Sequence, residues 1–117
     1  ENCVKNNINF CEKSKNKCAN CIELEDFDIK LQKIVLYNKC NFNCDLTKWN
    51  IKDEGRKKFI FPKFVLSSNS RVSIIVKKGT NNKDILYWDY ESYVWTDSGD
   101  TLFLRDNYNK LVLWENY

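Results

Sequence analysis

Apolar and polar residues alternate with a period of two along much of this chain. Ile22 and Leu24 alternate with Glu23 and Glu25, and Phe27, Ile29 and Leu31 alternate with Asp28 and Lys30. Lys33-Ile34-Val35-Leu36-Tyr37 is a β-rich run ended by Asn38, and Arg71 to Val76 alternates until Lys78-Gly79. A period of two places one set of side chains on a buried face, as in a strand. Residues 22–38 therefore read as two strands, with one long bent strand as a variant. A helix over Glu23 to Leu36 ranks lower, because Ile22, Glu25 and Ile29 make no clean apolar stripe. Lys57 to Phe61 reads as a strand stopped by Pro62, which has no amide to donate to a ladder. Leu46, Trp49 and Ile51 read as core. Phe64 to Leu66, Ile85 to Trp88 and Tyr93 to Trp95 are shorter apolar runs.

The chain closes on a hairpin. Gly99-Asp100 reads as a turn, Thr101 to Leu104 as a strand, and Leu111 to Trp114 as its return. The loop between them, Asp106-Asn107-Tyr108-Asn109, has residues that bond their own backbone or tolerate positive φ. Seven to nine short strands, with turn signals every 8–12 residues or so, point to an all-β sandwich or barrel.

The 117 residues fit one domain. Residues 1–21 stand apart as a cysteine-rich arm: Cys3, Cys11, Cys18 and Cys21 lie among Asn and Lys, with only Val4, Ile8 and Phe10 as large apolar residues. Such a segment buries no core of its own and needs cross-links, a metal or the domain behind it. No apolar run reaches the roughly 20 residues of a membrane helix. The chain opens at Glu1, without Met, so removal of a leader or a preceding domain is expected. Net charge is +3, too weak by itself to imply nucleic-acid binding. The charges are segregated, however. Arg56 to Lys78 holds seven basic residues and no acidic one, whereas Asp84 to Tyr117 holds seven acidic residues against two basic ones. These blocks either attract one another within the monomer or present a basic surface to an anionic partner.

Six blocks in order then carry a family likeness: Ile34 to Asn38; Asp45-Leu46-Thr47-Lys48-Trp49-Asn50-Ile51; Phe59-Ile60-Phe61-Pro62; Arg71 to Ile74; Trp95 with Gly99-Asp100; and Leu102 to Asp106. Over about residues 22–117 the chain resembles the lamin tail domain, in the form found in bacteria and archaea. That family has a strand ending in Asn, a "dLsgW" segment, a "y.FP" strand, a "v.v..g" strand and a "W…GD…L.D..G" hairpin. Lys48 replaces a frequent Gly before Trp49. Asn109-Lys110 replaces a usual Gly, so Asn109 is expected to take the left-handed position. The resemblance implies an immunoglobulin-like β-sandwich, here with a short cysteine-rich N-terminal extension, and no enzyme activity. It also implies an interaction platform, in bacteria and archaea often appended to secreted or surface proteins.

Candidate chemistry begins with the cysteines. His is absent, which removes Cys–His nucleophiles and mixed metal sites. Cys3, Cys11, Cys18, Cys21, Cys40 and Cys44 are even in number, and disulfides from the arm to the Cys40–Cys44 loop suit an oxidising compartment outside the cell or on its surface. The alternative is a structural zinc on Cys18, Cys21, Cys40 and Cys44, in a cytoplasmic protein. A redox-active Cys18-x2-Cys21 pair lacks a thioredoxin-like βαβ surround. Asp97, Asp100 and Asp106 sit at turns, where they bond backbone amides more readily than they form a catalytic or Ca²⁺ site. Trp49, Trp88, Trp95, Trp114, Phe59 and Phe61 read as core rather than as a stacking platform. Trp88 and Tyr90, with Tyr87 and Tyr93, are the best candidates for exposure. Arg56, Lys57, Lys58, Lys77 and Lys78 are the anion-binding candidates. The expected function is thus a non-enzymatic tethering module with a protein partner, and no catalytic or cofactor residues are assigned. The alternative is a domain that binds DNA or an acidic glycan. A hydrolase built on Asp97 and Asp100 is the third and weakest reading.

Overall fold

A computed structural model describes residues 12–117 and shows two packed four-stranded sheets. The strands are β1 (Ile22–Asp28), β2 (Lys33–Asn38), β3 (Cys44–Asp45), β4 (Asn50–Lys52), β5 (Lys58–Ile60), β6 (Val65–Leu66), β7 (Arg71–Val76), β8 (Ile85–Trp88), β9 (Thr101–Arg105) and β10 (Leu111–Asn116). One sheet has the order β1-β2-β7-β8 and the other β10-β9-β4-β5, while β3 and β6 form a small third sheet. All pairs are antiparallel except β7 with β8. The single helical element among the described residues is a 3-10 turn at Lys17–Asn20. This is the expected immunoglobulin-like sandwich, with ten strands rather than seven to nine. The excess comes from β3 and β6, which at two residues each are too short to show a period.

Burial follows the alternation. Ile34, Leu36 and Asn38 of β2 and Val72, Ile74 and Val76 of β7 face inward. They meet Ile51, Leu102 and Leu104 from the opposite sheet, with Trp49 and Trp95 buried between. Trp88 packs edge-on to Trp95 with ring centroids 5.9 Å apart. β9 is buried on both faces, and on the side away from the core the Arg105 guanidinium lies 5.1 Å from the Phe103 ring centroid.

The helix over Glu23 to Leu36 and the single bent strand are both replaced by a hairpin. Asp28 Oδ1 accepts from the Leu31 N–H, and Gln32 turns the chain with φ 52°. Tyr93 to Trp95 forms no strand, because a side chain rather than a ladder takes its amides. Gln32 Oε1 accepts from Val94 N–H at 2.7 Å and Trp95 N–H at 2.9 Å, and its Nε2 donates to the carbonyls of Ile29 and Trp95.

The family-like motifs are turn devices. Asn38 caps β2: its Nδ2 donates to the Phe42 and Leu66 carbonyls and its Oδ1 accepts from Cys40 N–H. Asp45 Oδ1 accepts from the amide and hydroxyl of Thr47, whose oxygen accepts in turn from Phe64 N–H. Asn109 takes the left-handed position with φ 61°, as expected, and Lys48 does the same with φ 66°. A left-handed residue with a side chain is strained by roughly 1 kcal/mol or more. Lys48→Gly should therefore raise stability by up to about 1 kcal/mol, the relief being partly offset by glycine's greater freedom when unfolded. Urea unfolding checks this, and a less stable variant would mean that the Lys48 side chain outweighs the strain.

Candidate interaction surface

The basic residues enter the structure through the β4–β5 hairpin. Lys57 N–H donates to Asp53 Oδ1 at 2.9 Å, and Asp53 N–H donates back to the Lys57 carbonyl. This tight turn projects Arg56, Lys57 and Lys58 into an open groove of about 730 Å³, whose other walls are Trp88, Asp89 and Tyr90. The Lys57 ammonium stands 5.3 Å from the Tyr90 ring centroid and 5.9 Å from that of Tyr93, and it donates to the Tyr93 carbonyl. Cation–π attraction of this kind holds a loop in place without burying the charge. Arg56 and Lys58 have no ion-pair partner among the described residues and are exposed. Lys77 and Lys78, also exposed, follow β7 and are not in the groove wall, although Val76 pairs with Trp88. Three of the five anion-binding candidates thus share one groove, and the last two stand beside it.

Tyr93 is 57% exposed. It borders a second open groove of about 610 Å³, shared with Ile29, Gln32, Trp95 and Ser98. Tyr90 and Leu31 are exposed nearby. Exposed Tyr and Arg on a firm backbone are the composition of protein-binding hot spots. The Gln32 clamp that sets this loop was not legible in the sequence, since a lone Gln in a turn has no periodic signal.

Two aromatic expectations need correction. Trp88 is only 5% exposed, because its strand turns it inward onto Phe59 and Trp95. Trp114, expected in the core, is 43% exposed, because its pairing with Phe103 puts it on the face of β10 that points away from the core. Tyr90 and Tyr93 are exposed as expected.

The turn carboxylates serve backbone. Asp100 Oδ1 accepts from the Glu54 and Thr101 amides, and Asp106 Oδ1 from those of Tyr108 and Lys110. Asp106 Oδ2 also accepts from the Ser14 hydroxyl. Asp97 is exposed and gathers no second carboxylate into a cleft. Asp53, buried at the base of the basic groove, has its pKa raised above the ordinary aspartate value. Burial is the chief cause; the Lys57 amide opposes it and the charge of Asp100 adds to it.

Cys18 of the 3-10 turn and Cys21 just after it are joined to Cys44 and Cys40 as two disulfides, closing spans of 26 and 19 residues. Asn16 caps the turn by accepting from Cys18 N–H at 2.8 Å. The segment before it pairs with β10 through Ser14 and Glu12 backbone bonds to Leu111. Residues 12–21 are therefore fixed to the sandwich. Cys3 and Cys11 lie outside the described residues. A zinc site on Cys18, Cys21, Cys40 and Cys44 would require both disulfides to be reduced. No group of three or more metal-ligating side chains occurs among the described residues. No described helix is long and apolar enough to cross a membrane.

Comparison with known families gives one match: the family model of the lamin tail domain fits residues 10–117. The match takes in the later part of the segment read as an arm. No curated protein matches the chain.

Two predictions follow from these groups. The disulfides are nested, so closing the outer span restrains little that the inner one leaves free. Removing either as a Cys→Ala pair should cost less than removing both, which should cost at least about 3.5 kcal/mol, the loop entropy of the outer span alone. Equal and additive losses in urea unfolding would refute the nesting argument. For Asp53, the folded chain holds the proton more tightly than the unfolded chain. The stability linked to it is full below the unfolded pKa and is lost as pH rises through the raised folded value. Asp53→Asn keeps an oxygen for Lys57 and removes the charge. It should flatten stability against pH across that window and raise stability at neutral pH, as read from urea midpoints. An unchanged slope would contradict it.

Proposed function

The chain belongs to the lamin tail domain family, and from that premise we propose that it is a non-enzymatic docking module, the tail of a larger secreted or surface protein. The family is a non-enzymatic, immunoglobulin-like interaction domain. The observation that carries the finer reading is the groove at the β4–β5 hairpin, where Arg56 and Lys58, without an ion-pair partner among the described residues, stand with Tyr90, and Tyr93 helps to brace Lys57. The polar family-motif residues are engaged in turns, which leaves the surface free to differ from relative to relative. The two disulfides support an oxidising location.

A second reading is favoured by the same unpaired cations: phosphates or sulfates of an anionic polymer would sit against Arg56 and Lys58, in a strongly salt-dependent way. Asp53 and Asp89 in the same walls weigh against it, as does the lack of a groove-reading helix among the described residues.

A photo-cross-linker placed at Tyr93 in the native setting tests the first reading. It should capture a discrete protein partner, and Arg56→Glu/Lys58→Glu should abolish the capture. Absence of capture, or capture indifferent to those changes, would overturn it. Titration with heparin and duplex DNA at low salt tests the second, and a flat titration would end it.

A further inference from the structure

We propose that copies of this chain associate head to tail, the open β5 margin of one copy docking on the acidic margin formed by β1 and β10 of the next. The proposal rests on reading the β4–β5 hairpin as a docking surface and names a second copy as its occupant.

The sheet orders put β1 and β10 at one margin of the sandwich and β8 and β5 at the other. Three strand spacings of about 4.8 Å separate the margins across each sheet, so they cannot meet within one copy. At the first margin lies an open hollow of about 390 Å³. Leu24, Phe27, Ile29 and the Tyr117 ring make it apolar, and Asp26 and Glu115 bring charge to it. Neither carboxylate has an ion-pair partner among the described residues, whereas the neighbouring Glu25 is held by Arg71. β1 itself carries four carboxylates in seven residues and no cation.

The opposite margin is its complement. The outer amides of β8 are taken, since Asn81 Oδ1 accepts from Tyr87 N–H and Asn82 Oδ1 from Ile85 N–H. β5 is terminal in its sheet, and among the described residues no side chain caps its amides in this way. It presents Ile60, 62% exposed, on the same side as Lys58, with Arg56 at the preceding turn. An exposed Ile on an uncovered edge strand is a feature that soluble proteins usually avoid. Here an apolar knob flanked by free cations matches an apolar hollow flanked by free carboxylates. Because the two surfaces differ, the contact is heterologous and propagates along a line of copies unless the rotation closes a ring.

The test is sedimentation of the full chain at about 20 mM and about 300 mM salt, with two charge-reversed variants. The wild type should associate with rising concentration at low salt and at least about tenfold more weakly at high salt. Asp26→Lys/Glu115→Lys gives the hollow the same sign of free charge as the β5 margin, and Arg56→Glu/Lys58→Glu gives the β5 margin the same sign as the hollow. Each variant alone should be monomeric, and an equimolar mixture should associate. Ile60→Ser should weaken association without altering the circular dichroism. A wild type that stays monomeric at low salt, or a mixture that does not associate, overturns head-to-tail assembly. If a groove-dependent Tyr93 cross-link to a different protein persists in that case, the docking surface stands and only its occupant is wrong.

Discussion

One side chain, Gln32, joins the β1–β2 turn to the crossing between β8 and β9. An amide has two donors and an acceptor with two lone pairs, and this one uses all four capacities on backbone. The segment around Val94 and Trp95 therefore needs no neighbouring strand to satisfy its polar groups. Val94 and Trp95 can enter the core as loop residues, and Tyr93 is turned out to the surface. Trp95 then supports both Phe27 and Trp88 edge-on. The packing of the two sheets and the posture of the aromatic loop thus share a single hydrogen-bonded centre.

The same logic runs through the family-defining residues. Asn38, Asp45, Thr47, Asp100 and Asp106 are short polar side chains at chain reversals. Each replaces a backbone partner that an irregular segment lacks, which is why these residue types recur at those points. A motif of this kind specifies a fold and is silent about a ligand. The groups proposed for recognition are among those that no turn uses: Arg56, Lys58, Tyr90, Tyr93 and, on the far margin, Asp26 and Glu115.

The charge segregation seen along the chain takes a different form in space. Basic residues 56–58 do face Asp89 across a groove, so part of the attraction between the two halves is internal. The remaining imbalance lies between the two margins, and β1, from outside both blocks, supplies much of the negative side. The nested disulfides hold the segment around Cys18 and Cys21 against the β2–β3 loop.

Much of the fold was legible in the sequence because period-two alternation and turn chemistry are local. β7 and the closing hairpin came out nearly residue for residue, as did the left-handed Asn109. The six cysteines were read as disulfide candidates, with bridges from the arm to the Cys40–Cys44 loop, but their pairing was not legible, since spacing alone does not say which sulfurs meet. The basic groove was half legible: Arg56 to Lys58 announce themselves by composition, whereas Tyr90 and Tyr93 join them only because the chain returns there. Trp88 and Trp114 were misplaced for one reason. Their hydrophobicity is the same and both lie on terminal strands, and what separates inside from outside is which face of the strand its register turns to the core. Sequence by itself determined the strands, the turns and the family. Tertiary structure alone decided which sulfurs meet, which aromatics face water and which charges go unpaired, because each depends on contacts between segments far apart in the chain.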